Sequence, residues 1–285
     1  NYFFVNKNFD EQKIYDKGFR INELFSVSTS GIKTHNDGTL VSFDKFENSN
    51  NLYNYRPFDI RYIEYDLQKV QRHRFSVMKH MMKDNLAIMS CRQLSTFDFQ
   101  HVLISKNLID MCTVSLQTKE TTYAFPLYLY PEKTGQLSLD ENISERTPNL
   151  NIEIIDKIAE QLNHVFLPDE NIVCDLPAGF DGTFSPLDVL DYIYAVLHSP
   201  TYREKYKEFL KIDFPRIPYP KDAKTFWELV ELGSQIRQIH LLESAKVEDY
   251  ITEFPIDGDC IVTKPKFEPN LVKVQNLDKV NSETE

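Results

Sequence analysis

A chain of 285 residues with 41% hydrophobic side chains carries enough apolar content for one large or two modest folded domains, which excludes intrinsic disorder as a class. Its net charge of −11 disfavours polyanion binding over the whole surface. No apolar run approaches the ~20 residues of a membrane span, and no secretory h-region is present. Cys91, Cys112, Cys174 and Cys260 stand far apart, without the spacing of a zinc site, so reduced thiols in a soluble cytoplasmic protein are expected.

In chain order, the sequence opens at Asn1 with a strand-like NYFFV and no initiator methionine, as a piece of a longer protein would. Residues 1 to 50 read as short strands and turns, with STSGIKTHNDG as a polar loop rich in turn formers. Residues 60 to 66 follow as a strand. In RHRFSVMKHMMKD the spacing of Phe75, Met78, Met81 and Met82 predicts a helix, which Asn85 breaks before the strand-like LAIMSC. FQHVLIS and TTYAFPLYLY are further strands, the latter placed at an edge or a bulge by Pro126.

The second half changes character. NLNIEIIDKIAEQLNHVF aligns Ile152, Ile155, Ala159, Leu162 and Phe166 on one helical face. Ser185, Pro186 and Asp188 mark a helix start, as do Ser199 and Pro200. Asp222 can cap a long helix running to about Leu242. The expected fold is therefore α/β in the α+β sense. A mixed, aromatic-rich part over 1–145 precedes a helical scaffold over 146–250, and 251–285 supplies a short strand and a polar tail.

Charge is unevenly distributed along these parts. Residues 1–55 carry 6 basic and 7 acidic side chains, residues 56–92 carry 8 and 4, and residues 93–285 carry 18 and 32. A basic stretch within an acidic chain can still form a local phosphate-binding surface.

Catalytic signatures are missing. With 8 glycines the chain has no GxGxxG or GxxxxGK[ST] turn and no Asn-Pro-Pro-Tyr tetrapeptide, so neither a cofactor site nor methyl transfer is expected in it. Asp59, Glu64 and Asp66 are not followed by a lysine at the short Glu-x-Lys spacing of a metal-dependent nuclease and read as surface carboxylates. His80, His101, His164, His198 and His240 read as helix-face or core histidines. No metal ligands stand out.

Nucleic-acid recognition finds raw material. Arg56, Arg61, Arg72, Arg74, Lys79 and Arg92 can neutralise phosphates, and Arg92 with Gln93 can read base edges. Lys33, Thr34, His35 and Asn36 add compact donors on a loop suited to a groove. The competing reading is structural: Arg56, Asp59 and Arg61 as an internal ion-pair network, and Arg72-His73-Arg74 as a solvated helix start.

Several strings occur in a telling order: FVNKNFDEQKIYDKGFRINELFSVSTSGIKTHND, YRPFDIRYIEYD, VMKHMMKDNLAIMSCRQ, AFPLYLYP, YIYAVLHSPTYREKYKEFLKIDFPRIPYP and ELGSQIRQIHLL. Over about residues 1 to 262 the chain resembles the C-terminal target-recognition (specificity) region of large adenine-specific DNA methyltransferases, most closely type ISP restriction-modification enzymes and their type IIG relatives. That resemblance implies double-stranded DNA as one partner. It implies preceding methyltransferase, and possibly translocase and nuclease, domains as the others, with S-adenosylmethionine held there and no membrane involved. Two departures stand out. The family loop reads Thr-Gly-x-x-Thr-x-Arg-Asp, whereas SGIKTHND has Asn36 at the arginine position, and a further module with Gly-Gly-Tyr and Trp-Leu-Lys-Asp-Arg strings is absent after DGDCIVTKPKF.

Under this resemblance the aromatics of YRPFDIRY build the core, Asp59 orients one arginine and the other is left to face DNA. Arg72, Arg74 and Lys79 are expected at phosphates, Arg92 and Gln93 at bases, and Tyr202, Tyr206 and Phe209 in the scaffold core. The main alternative is an acidic helical interaction module without direct DNA contact. A stand-alone hydrolase is the weakest reading.

Overall fold

The computed structural model describes residues 9–95, 98–117, 119–131, 146–169, 179–250, 258, 266–268 and 271–273. Residues 1–244 form one unit and 245–285 a second. The expected opening strand at 1–5, Cys174, Cys260 and most of the polar tail lie outside the described residues.

The first unit is organised by strand Ala87–Cys91, which is buried along its whole length. Successive side chains of a strand point to opposite faces, so such a strand must be covered on both. Ala87 and Met89 enter one core with Ala124, while Ile88 enters another with Phe125. Its sheet runs in the order Thr29–Ser30, Thr122–Pro126, Ala87–Cys91, Val102–Ser105, all antiparallel. A second sheet runs Val41–Ser42, Asp59–Ile63, Asn51–Arg56, Leu108–Ile109, with only the last pair parallel. The smaller core lies between the sheets and joins Tyr53, Ile63, Leu108 and Ile109 to Ala87, Met89 and Ala124.

The larger core covers the other face of the first sheet with helices. Helix Pro186–His198 is buried continuously from Val189 to Leu197, as expected of an inner helix that is apolar on most sides. Its start is fixed reciprocally: Ser185 Oγ accepts from Asp188 N at 3.3 Å and the Asp188 carboxylate accepts from Ser185 N at 2.8 Å. Ser199 caps helix Pro200–Leu210 by accepting from Tyr202 N at 3.3 Å, and Asp222 caps helix Ala223–His240 by accepting from Thr225 N at 2.7 Å. Gly233 lets the long helix approach the inner one; a Cβ there would stand 1.9 Å from the Asp191 carbonyl oxygen. One turn away, Arg237 forms a buried forked pair with Asp191 at 2.6 and 2.9 Å.

The mixed and helical parts share this core. Phe214, on the extended segment 213–219, packs edge-on against Tyr123 and Phe125, and Arg216–Ile217 pairs with Phe19–Arg20. Tyr202 and Tyr206 are buried and Phe209 is packed against them, as expected of scaffold residues. The mixed α+β class and the three capped helices agree with the sequence reading, and no helix among the described residues is long and apolar enough to cross a membrane.

Four expectations are corrected. Residues 1–50 contain a helix, Phe9–Asp16, as well as strands and turns; Tyr15 from it stacks on Tyr206 and Phe209, so distant partners stabilise it. The helix beginning at Ile152 ends at Leu162, because Asn163 takes the left-handed conformation (φ 54°) and turns the chain into strand His164–Phe166. Its core face is Ile154, Ile155, Ile158 and Leu162, with Ile152 exposed. Pro126 ends an inner strand, since Thr29–Ser30 reach only Ala124 and Tyr123 and need no hydrogen bond from it. Finally, the Phe75–Met82 stretch is two short turns in which Met78 and Met81 are buried while Phe75 and Met82 are exposed.

Candidate nucleic-acid interface

The hairpin Asn51–Arg56/Asp59–Ile63 turns at Pro57–Phe58, with Phe58 at φ 61°. Asp59 and Arg61 are two residues apart on one strand and so share a face. Their side chains form a fork, Nε to Oδ1 at 2.9 Å and Nη2 to Oδ2 at 2.7 Å. The Arg61 guanidinium lies over Tyr55 at 4.2 Å and over Phe43 at 4.4 Å. Arg56 lies over Tyr55 at 3.9 Å. Both guanidinium groups lie against the Tyr55 ring and Arg61 also lies against Phe43, so Phe43, Arg61, Tyr55 and Arg56 form one stacked group.

Carboxylates hold this stack from below. Buried Asp110 accepts from Tyr53 Oη at 2.5 Å, from Arg56 Nη1 at 3.0 Å and from Cys112 N at 2.7 Å. Burial raises the Asp110 carboxyl above its ordinary range, against the lowering effect of these donors. Asp37 accepts from Tyr55 Oη at 2.9 Å and from Thr34 Oγ1. The arginine expected to be left over is thus tied to Asp110, and of the neighbouring aromatics Tyr53 is core, Tyr55 part of the stack and Phe58 exposed.

The polar loop adjoins this structure. Lys33 and Arg72 exchange backbone hydrogen bonds at 3.2 and 3.0 Å, which fixes the loop base. Thr34 is buried, whereas His35 is exposed at φ 60° and Asn36 is exposed ahead of the helical turn Asp37–Leu40. An open cleft of about 400 Å³ is lined by Lys33, Thr34, His35, Arg56, Asp110 and Met111 among others. The structure therefore brings Lys33, Thr34, His35, Arg56, Arg61 and Arg72 into one continuous region, with Asn36 on the same loop. Arg72 is exposed, and no side-chain ion pair holds it among the described residues.

The remaining candidates diverge. Arg74 is half-buried with its backbone left-handed (φ 56°), and its Nε has no hydrogen-bond partner among the described residues. Lys79 is half-buried at the end of the Phe75–Met78 turn. Arg92 donates to Asp213 at 2.9 Å, and Leu94 N donates to the Lys211 carbonyl, so Arg92 and Gln93 lie at the seam with the helical part. Arg92 is paired there with the structural strap, although it and Gln93 remain exposed.

Three contributors escaped sequence reasoning. Phe43, Asp37 and Asp110 give no local signal; only the pairing of Val41–Ser42 with Ile63 and Tyr62 brings Phe43 alongside Arg61. A further hub, Glu120, accepts from Ser95 N at 2.7 Å and from Ser115 Oγ at 2.6 Å, with His101 Nε2 at 3.2 Å. Burial pushes the Glu120 carboxyl up, but these hydrogen bonds outweigh it and hold it down at about 2. The adjacent His101 is pushed down, chiefly by its own burial. Ser95 and Ser115 both bond the carboxylate rather than the imidazole, which is a loop anchor and not the geometry of a nucleophile with its base. Among the described residues no group of three or more His, Cys, Asp or Glu could hold a metal ion. Asp59, Glu64 and Asp66 are engaged with Arg61, Lys69 and the Gln68 amide.

The family model described as the Type ISP C-terminal specificity domain matches residues 4–283. No curated protein matches. Among solved structures, the chain is similar to a DrdV–DNA complex determined by cryo-EM, at 20% identity and TM-score 0.57, covering 76% of this chain and 23% of that one. It is also similar to the ATP-dependent Type ISP restriction-modification enzyme LlaBIII bound to DNA, at 20% identity and TM-score 0.56, covering 83% and 17%. A third match is a nuclease-deletion mutant of the Type ISP restriction-modification enzyme LlaGI in complex with a DNA substrate mimic, at 19% identity and TM-score 0.52, covering 79% and 19%. These likenesses establish the fold, and the chain spans roughly a fifth of each solved chain.

Proposed function

The chain belongs to the Type ISP C-terminal specificity domain family, and from that premise we propose that it reads the DNA target of a larger restriction-modification enzyme. The observation that carries this reading is the match over residues 4–283 to a domain defined by specificity, together with three similar structures that are complexes with DNA or a DNA substrate mimic. In this reading the parent methylates adenine, other domains of the parent hold S-adenosylmethionine, and the protein works in the cytoplasm. The chain itself performs no chemistry. It binds the duplex while the catalytic domain extracts the base.

The geometry supports a division of labour. Arg72 serves as a phosphate contact, because it is exposed without an ion pair among the described residues while its backbone is pinned to Lys33. His35 and Asn36 project from the loop whose base that pairing fixes, a rigid mount for groove contacts. Arg56 and Arg61 act through the stack, with donors to spare beyond Asp110 and Asp59.

Binding of random-sequence duplex libraries by the intact parent tests this, comparing wild type with Arg72→Ala across a salt series. Enrichment of one short motif by wild type, with a salt slope reduced by about one in the variant, supports it. Failure of the wild type to enrich any motif sinks it. A second reading has its own observation: residues 93–285 carry 32 acidic against 18 basic side chains, which favours a protein-facing role for the helical face beside DNA reading by the mixed part.

A further inference from the structure

The stack Phe43–Arg61–Tyr55–Arg56 ends in an aromatic ring left largely open among the described residues: Phe43 is 72% exposed although its ring contacts Arg61. A single exposed phenyl ring is ordinary on a protein surface; this one differs in being seated on a guanidinium that Asp59 clamps, with its other face open. Each arginine in the stack is matched by a carboxylate, Arg61 by Asp59 and Arg56 by Asp110, and Asp37 adds a third at the Tyr55 hydroxyl, so the stack carries no excess positive charge. Such a platform attracts a phosphate weakly and a flat π-system well.

Resting on the DNA-reading proposal above, the geometry points to Phe43 as a stacking site for an unpaired nucleobase, extending the stack by one layer. The ligand class is a base out of its duplex partner's reach, in a bulge, a distorted step or the strand left when its partner is extracted. Pre-organisation follows from the underlying contacts. Asp59 clamps Arg61 in a two-point fork, Asp37 holds the Tyr55 hydroxyl, and pairing of Val41–Ser42 with the hairpin sets the height of Phe43. Little side-chain freedom is left for a base to freeze on docking.

The test uses the full chain and two duplexes of one mixed sequence, one carrying 2-aminopurine in a single-nucleotide bulge and one carrying it paired with thymine. Wild type is expected to bind the bulged duplex roughly 5- to 100-fold more tightly, with 2-aminopurine emission quenched. Phe43→Ala should bring that ratio near one whatever its effect on paired-duplex affinity, because each variant is compared with itself on the two duplexes, and Phe43→Trp should keep the ratio. Because the stack has no excess positive charge to release counterions, the ratio should hold between low and high salt even as both affinities fall. A ratio unchanged by Phe43→Ala, or a wild-type ratio near one with paired duplex still bound, overturns the stacking site alone. Absence of binding to either duplex overturns it together with the DNA-reading proposal.

Discussion

At the scale of single residues, two buried carboxylates differ in how their environments treat charge. Glu120 receives hydrogen bonds from Ser95 and Ser115 and sits against His101, and its carboxyl falls from an ordinary 4.5 to about 2. Asp110 also has three donors, yet burial prevails and its carboxyl rises. The signs of the stability effects follow. The Glu120 contribution is complete above about 4.5 and is lost as pH falls toward 2, whereas the raised Asp110 opposes folding as pH climbs through its folded value. Urea unfolding at a series of acid pH values should therefore show wild type losing stability between these limits, and Glu120→Gln losing that part of the pH dependence. At neutral pH the variant should be less stable by about 1–3 kcal/mol, the cost of imperfectly satisfied buried partners. An unchanged acid profile in Glu120→Gln would remove Glu120 as the titrating group. The Asp59–Arg61 fork yields a prediction of opposite character. Asp59→Ala frees a guanidinium already held on a ring, so non-specific duplex affinity should rise and the salt slope should steepen by up to about one. A slope that stays flat in filter-binding titrations would show that Arg61 does not reach the backbone.

Among the elements, the closest helix contact turns on one absent side chain. Gly233→Ala would put a carbon 1.9 Å from the Asp191 carbonyl oxygen, a backbone atom that can yield only if the helices part. The expected loss is about 3 kcal/mol or more by denaturant unfolding. Ser185→Ala, which removes only one half of a reciprocal cap, should cost about 1 kcal/mol. Equal effects would mean that the helices adjust to a methyl group more easily than this packing implies. The same contrast explains what could be read in advance. Caps at Ser185, Ser199 and Asp222 are local, since donor and acceptor lie within three residues, and the sequence therefore displays them. Helix Phe9–Asp16 shows no such local signal, because Tyr15 is held by Tyr206 and Phe209 nearly two hundred positions away. Pro126 was misplaced for a related reason. Its residue type excludes a ladder bond on one side, but where the neighbouring strand stops is a tertiary fact.

At the scale of the whole fold, the mixed and helical parts share the larger core, and ion pairs within and between them decide which basic residues stay uncancelled at the surface. The sequence presents a basic stretch from Arg56 to Arg92 without showing which charges are cancelled across the fold. Asp110 claims Arg56, Asp59 claims Arg61 and Asp213 claims Arg92, and two of these three acids lie beyond the stretch itself. Arg72 is left exposed, with only its backbone engaged, by the loop at Lys33, among the described residues. Arg72 and Arg92 should consequently behave as opposites in the parent enzyme. Arg72→Ala should weaken binding by a similar factor on every duplex, lowering the salt slope by about one and leaving the preferred sequence intact. Arg92→Ala should leave both slope and preferred sequence in place and reduce stability by at most about 1 kcal/mol, the range of an exposed ion pair. Selection from random duplexes, run on both variants beside thermal unfolding, separates these outcomes. Relaxed preference at one base position in Arg92→Ala would move base reading to the seam and make Asp213 its positioning partner.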